Sequence, residues 1–441
     1  MVYGIIKSMK TKTYLNKKGS VLISNYTTET YQMKREILRY SEKISRGCSP
    51  DERKFSADMI YGLLSSESCL LSEIADRLKE TIRKKNTIDR LSRHLADGVS
   101  ATTERNYKQL VRRVLSEDTL VFVDDSDVIK PYGQKFEDLG WVRDGSAPDN
   151  RIEKGYHVTE ITALTKSSQH PVSLYSNIHS SQSKDYISVN DITFSALQSV
   201  FPLVGKDATF IFDRGYDMNK LFAFFHKADR QFIVRLKENR SLYYNRKWHK
   251  STELRNARKG KYKTTVQFHG ERKDCYLTSL TVQITESKRP IHVIFVYGLS
   301  ETPMMLATNR DIQGKDDAVR AAKAYFKRWR IEEYFRFKKQ HFWFENFRVR
   351  SLKAINALNS FITYAIGFVA LMSEKPRHSC LKISILKRAN ALRADVCVCF
   401  CFYRLAKGIV GILEFAAVGI KGWFKPKSPK YRQLTLYEWI A

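Results

Sequence analysis

Tyr325-Phe-Lys-Arg-Trp-Arg-Ile-Glu-Glu-Tyr-Phe-Arg-Phe-Lys-Lys339 contains neither glycine nor proline and reads as helix. At about 100° per residue, Arg328, Glu332 and Lys339 fall roughly 60°, 20° and 40° behind Tyr325, so the four share one narrow face. An amphipathic helix ordinarily keeps its charges in water. A stripe that joins phenol, guanidinium, carboxylate and ammonium has the composition of a phosphate-handling site. A solvated basic helix with an incidental glutamate has the same composition, so the rest of the chain decides. Lys338 lies about 100° from Lys339, Arg330 about 200° from Arg328, and Glu333 about 100° off the shared face, so all three are expected to point elsewhere.

The 441 residues, 43% of them hydrophobic, hold ample material for a core in two or three compact units. Lys and Arg number 76 against 46 Asp and Glu, and a formal charge of +30 favours a polyanionic partner, nucleic acid first. The 7 cysteines are odd in number and scattered, which suggests no disulfide framework and a reducing compartment. Cys397-Val-Cys399-Phe-Cys401 lacks the Cys-x2-Cys spacing of a zinc knuckle and reads as a buried apolar segment, so no zinc is expected. Histidine pairs spaced as metal ligands, a phosphate-binding Gly-x4-Gly-Lys loop and a Gly-x-Ser-x-Gly elbow are all missing, which disfavours zinc protease, ATPase and serine hydrolase. Polar and charged residues interrupt the N-terminus from Lys7 onward, unlike a signal peptide, so a soluble cytoplasmic protein is expected. Ile355 to Met372 is apolar, yet Asn356, Asn359, Ser360 and Thr363 lie along it, and a core helix is the better reading than a membrane span.

Residues 1 to about 30 show no persistent period. From Met33 to Leu115 the pattern is helical, with Ser72 and Thr87 placed as N-caps. The basic connector Arg83-Lys84-Lys85, with Arg90 and Arg93 beyond it, fits a helix-turn-helix-like pair or any small bundle. Thr119-Leu-Val-Phe-Val123 then reads as a short buried strand ending in Asp124, and Gly133 to Pro148 as loop. Two strands follow, Tyr156 to Leu164 and Pro171 to Ile178. Ser188 to Val200 is helical, Ala208 to Phe212 is a strand delivering Asp213, Met218 to Ala228 is helical, and Gln231 to Leu236 is a strand. Three strands followed by helix, strand, helix and strand fit an RNase H-like mixed sheet, and periodicity alone allows other α/β folds. Strands recur between Lys237 and Thr308, and apolar helices with a basic, aromatic tail, Lys421 to Lys427, follow Arg350. The expected division is a helical DNA-binding region over 1–116, catalytic core over 117–237 and 309–350, β-rich insertion over 238–308, and helical region over 351–441.

Asp124 and Asp213 each close an apolar strand, where a carboxylate is costly unless paired or metal-bound. With Glu332 they make three acids, enough to hold divalent ions for phosphodiester chemistry.

Tyr325, Arg328, Glu332 and Lys339 match the spacing Tyr-x2-Arg-x3-Glu-x6-Lys, and the helix resembles the third catalytic motif of bacterial insertion-sequence DDE transposases. Asp124-Asp125-Ser126 is similar to the family's first motif, Asp-x-Thr, and Asp213-Arg214-Gly215-Tyr216 matches its second. The resemblance covers roughly Leu120 to Arg350. It implies that Asp124, Asp213 and Glu332 are catalytic and bind two Mg2+ ions, with Mn2+ able to substitute. It implies further that Tyr325, Arg328, Lys339 and Arg214 contact DNA phosphates. The implied fold is an RNase H-like mixed sheet with a β-rich insertion before the last catalytic helix, flanked by helical N- and C-terminal regions. The implied function is cleavage at transposon ends and joining to target DNA, by a nucleoid-associated bacterial protein that dimerises on double-stranded DNA. Two departures stand out: Ser126 replaces the usual Thr, and Asp125 adds an acid. Relatives that make DNA hairpins often place a Trp in the insertion's last strand, where this chain has Met304. The alternatives are an RNase H-like nuclease without strand transfer and an inactive, transposase-derived DNA-binding regulator.

Overall fold

The computed structural model describes residues 20–145, 147, 149, 151–268, 270–285, 288–376, 378–390 and 400–420. Five helices come first: α1 (Ser20–Ile44), α2 (Pro50–Ser66), α3 (Leu71–Leu78), α4 (Lys84–Asp97) and α5 (Ala101–Arg112). The central sheet follows with β1 (Leu120–Ile129), β2 (Gly140–Arg143), β3 (Ile152–Leu164) and β4 (Pro171–His179). Next come α6 (Val189–Val200), β5 (Thr209–Phe212), α7 (Asn219–Ala228) and β6 (Gln231–Arg235).

Strand order β4-β3-β1-β5-β6, in which only β3 runs antiparallel to the other four, is the RNase H-like arrangement. The chain adopts this α/β fold. Val121, Phe122, Val123, Phe210, Ile211 and Phe212 are fully buried, so the central strands are apolar on both faces, as parallel strands covered by helices require.

The insertion continues the same sheet. It contains β7 (Ser241–Tyr244), β8 (Lys247–Lys250), the short α8 (Ser251–Asn256), β9 (Tyr262–Phe268), β10 (Glu271–Ile284), β11 (Arg289–Tyr297) and β12 (Met304–Thr308). β12 pairs antiparallel with β6, and β11, β10, β7 and β8 extend outward from it. Then come α9 (Lys315–Phe326), α10 (Trp329–His341), α11 (Leu352–Glu374), α12 (Cys380–Arg388) and α13 (Phe402–Leu413).

The strand ending expected at Asp124 does not occur there: β1 runs on to Ile129. Its polar half is stabilised by partners across the ladder, since Thr159 donates to Asp125 (2.7 Å) and His157 pairs with Asp127 (3.1 Å). Within the expected loop, Gly140–Arg143 is a strand pairing with β3. The short hairpin β7–β8 lies within the stretch read as strands, though its two strands were not individually placed.

The helical flanks pack on each other as well as on the sheet. Thr30 donates to the carbonyl of Ile412 (2.9 Å) and Tyr40 to that of Tyr364 (2.7 Å). The expected caps Ser72 and Thr87 both lie inside helices. Leu70 precedes α3 without a side-chain cap, and Thr87 donates instead to Glu80 (2.7 Å). Arg90, expected on a DNA-facing surface, is bound to Asp58 (2.9 Å) and Glu80 (3.1 Å) between α2, α3 and α4, so it holds the bundle together. Helix α11 is long and apolar enough to cross a membrane but is mostly buried within the protein, and its polar residues serve the sheet. Asn356 donates to the Ile178 carbonyl and accepts its N–H, both at 2.8 Å. A helix already begins at Ser20, earlier than expected. The first 19 residues, Cys397, Cys399 and the tail from Lys421 lie outside the described residues.

Candidate active site

Register brings the acids together. Val123 of β1 pairs with Phe212 of β5, and Phe212 with Val234 of β6. The next residue on each chain is Asp124, Asp213 and Arg235, so two carboxylates and a guanidinium line the same edge of three parallel strands. Asp213 leaves its strand into a 3-10 turn, Arg214–Tyr216. Arg235 was missed by sequence reading, although it follows an apolar strand as Asp213 does.

The stretch 325–339 is not one helix. Lys327 and Arg328 form a tight turn between α9 and α10, with i to i−3 bonds from Lys327, Arg328, Arg330 and Ile331. Glu332 therefore sits in the first turn of α10, where the helix dipole favours a carboxylate. Arg328 starts that helix and reaches the sheet. Its Nη1 donates to Asp124 Oδ2 (3.0 Å) and its other terminal nitrogen donates to Glu332. Burial pushes Asp124 up to about 7; Arg328 pulls it back, while Asp213, Asp125 and Glu332 raise it further. Burial works against the Arg328 charge, but Asp124, Asp213 and Glu332 together hold its pKa above the ordinary range. Tyr325 is buried beside this group, its phenol raised by burial and by Asp213 and lowered by Arg328 and Arg235.

Five of the seven expected residues thus converge: Asp124, Asp213, Tyr325, Arg328 and Glu332. Arg214 is exposed on the rim, lining a cleft of about 410 Å3 with Arg235, Glu238, Glu301 and Met304. A second cavity, about 430 Å3, opens beside Arg328 between Phe268, Met304, Phe326, Trp329 and Lys323. Lys339 lies seven residues beyond Glu332, about 10 Å along the axis, and pairs with Glu345 (3.2 Å).

Lys338 does not point to solvent. Its ammonium is fully buried against Glu160 (3.0 Å), Ser176 (2.9 Å) and Thr363 (3.4 Å). Glu160 is also fully buried, accepts from Ser173 and from Ser176 (2.7 Å), and stands directly opposite Asp124 in the β1–β3 ladder. The helical-wheel angle gave the direction correctly, away from Lys339, but that direction leads into the protein. Asp125, next to the first acid, faces away from Arg328 and accepts the Tyr216 hydroxyl (2.7 Å), tying the second motif to β1.

Among the described residues, no three Asp, Glu, His or Cys side chains stand ready to hold a metal ion, and the Arg328 guanidinium occupies the space between Asp124 and Glu332. The donor set nonetheless fits a hard divalent cation. It offers only carboxylate oxygens, and three carboxylates outnumber the guanidiniums of Arg328 and Arg235 beside them.

An RNase H-like sheet thus carries acids at the ends of its central strands, answered by a glutamate on a facing helix. Residues 188–366 match the transposase DDE domain family. The matched stretch includes Asp213, Arg214, Tyr325, Arg328, Glu332 and Lys339 and begins after Asp124. Among solved structures, the chain is similar to the piggyBac transposase synaptic complex with hairpin DNA (9% identity, 93% of this chain, 83% of that chain, TM-score 0.42). It is also similar to Ciona intestinalis endonuclease V in complex with a 23mer DNA containing an inosine followed by a ribo-adenosine (11% identity, 54% of this chain, 100% of that chain, TM-score 0.24). No curated protein matches the chain.

Proposed function

We propose that the protein is an insertion-sequence transposase that cuts double-stranded DNA at element ends and joins the freed 3′ hydroxyl to target DNA. Support comes chiefly from one observation: three carboxylates from separate stretches of chain gather around Arg328, in the order of the family's motifs.

Asp124, Asp213 and Glu332 would hold two Mg2+ or Mn2+ ions. When bound, such ions supply a nucleophile ionised near neutral pH and neutralise charge on the leaving oxygen. Arg328 and Arg235 are the cations placed to hold oxygens of the reacting phosphate, with Tyr325 packed beside them. Arg214 and Lys339 extend these contacts to neighbouring phosphates. Lys339 first has to exchange Glu345 for DNA. Asp125 and Tyr216 fix the turn that carries Asp213. Two protomers acting on paired ends, in the bacterial nucleoid, complete the reading.

The test is to incubate the protein with Mg2+ and a linear DNA carrying the coding region with its native flanks, then sequence the products. Cut ends joined to a second duplex support transposition. Cutting without joining identifies a nuclease, and binding without either identifies a regulator.

A further inference from the structure

Lys130 follows β1 on the strand face that carries Asp124, since the two are six residues apart and side chains alternate; six residues span about 20 Å. Its side chain is turned inward, donating to the carbonyls of Glu345 and Phe347 (2.9 Å to the latter) and lying 3.7 Å from the centre of the Phe347 ring. The segment leaving α10 is thereby pinned from beneath. Other bonds fix it too: the Cys69 N–H donates to the Phe342 carbonyl (2.8 Å), the Cys69 thiol to that of Trp343 (3.1 Å), and the Glu137 N–H to that of Arg350 (3.0 Å).

Along this segment burial alternates. Phe347 and Val349 point inward, while Arg348 and Arg350 point outward with no carboxylate partner among the described residues. Trp343 opens the segment in the left-handed backbone region (φ 49°), 59% exposed, and Tyr132 on the flanking loop is 94% exposed. Two nearby acids are already engaged. Glu345 meets Lys339 (3.2 Å), and Glu137 accepts the Leu352 N–H (2.6 Å).

We infer that Arg348 and Arg350, flanked by Trp343 and Tyr132, form a rigid mount for the sugar-phosphate backbone of duplex DNA, about six base-pair steps from the reacting phosphate. The inference rests on the proposed function. The backbone beneath the two guanidiniums is already ordered, so their contacts with phosphate cost little further chain entropy. Sequence-independent backbone holding is the expected role, because a fixed extended segment with alternating arginines matches a row of phosphates rather than base edges.

The experiment measures binding of full-length protein to a 30-base-pair duplex by fluorescence anisotropy across salt concentrations. The double variant Arg348→Ala/Arg350→Ala should bind on the order of 10- to 100-fold more weakly at 0.1 M salt, with a log–log salt slope shallower by about 1.8. The matched pair Lys166→Ala/Lys206→Ala, exposed at the opposite end of the central strands, should leave affinity nearly unchanged. Wild-type affinity and slope in the arginine variant, or an equal loss in the lysine pair, overturn the mount. If the arginine variant binds normally while Asp213→Asn abolishes cleavage, the mount fails and the transposase reading stands. If the wild-type protein shows no salt-dependent binding, both fail.

Discussion

Helix α10 carries a charged set at each end, and the two differ in balance. Toward its C-terminal half, Lys338 meets Glu160 in a sealed, one-to-one pair whose remaining bonding capacity is taken by Ser173, Ser176 and Thr363. At its start, Arg328 faces Asp124, Asp213 and Glu332 at an edge that solvent reaches. A neutral, fully bonded set has no use for a ligand and serves to fix the helix on the sheet. An excess of carboxylates is unfavourable until more cations arrive, so it is the unbalanced end that invites chemistry.

The largest effect expected from breaking this comparison is at the open end. Asp124→Asn, Asp213→Asn and Glu332→Gln should each reduce DNA cleavage to background while duplex binding, which rests on the cations, persists. Cleavage surviving in one of them would remove that acid from the reacting set.

At the sealed end the consequence is for stability. Lys338→Met or Glu160→Gln alone leaves a buried group without its partner and should cost about 3–5 kcal/mol in urea unfolding, whereas the double variant should recover most of that loss. Additive losses would show that the two do not act as a pair.

A smaller, catalytic effect separates neighbours on the helix. Arg328→Ala removes a charge-assisted contact worth about 1.5–3 kcal/mol and should slow cleavage roughly 10- to 150-fold. Arg330→Ala, which loses a contact with Glu333 (3.3 Å) rather than with the three acids, should change it little. Equal losses would mean that bulk charge governs the rate.

The smallest effect is a pH dependence of the metal-free protein. Asp124 is held near 7 when folded, against an ordinary 3.8, so the folded state keeps an extra proton between those values and stability falls as pH rises through them. Asp124→Asn should therefore melt above wild type at pH 8 and level with it at pH 3.5. A difference independent of pH would locate the strain elsewhere.

The two ends of α10 were unequally legible in the sequence. Asp124, Asp213 and Glu332 could be read because apolar strands running into acids are costly, and because their motifs have fixed spacing. Glu160 could not, since it lies inside a strand between the face-mates Val158 and Thr162, and only the β1–β3 register reveals it opposite Asp124. The burial of Lys338 was hidden for a related reason: a helical wheel gives an angle, here the correct one, and says nothing of which side the sheet covers. The break at Lys327 and Arg328 carries no glycine or proline signal. The extension of β1 past Asp124 depends on Thr159 and His157, thirty or more residues away, whose pairing no local pattern encodes.

Binding of divalent cations at the unbalanced end is measured by Mn2+ titration followed by electron paramagnetic resonance, with duplex DNA present. Wild-type protein and the Lys338→Met/Glu160→Gln double variant should bind the ion alike, and Asp213→Asn should lose that binding. Undiminished Mn2+ binding by Asp213→Asn would contradict the account.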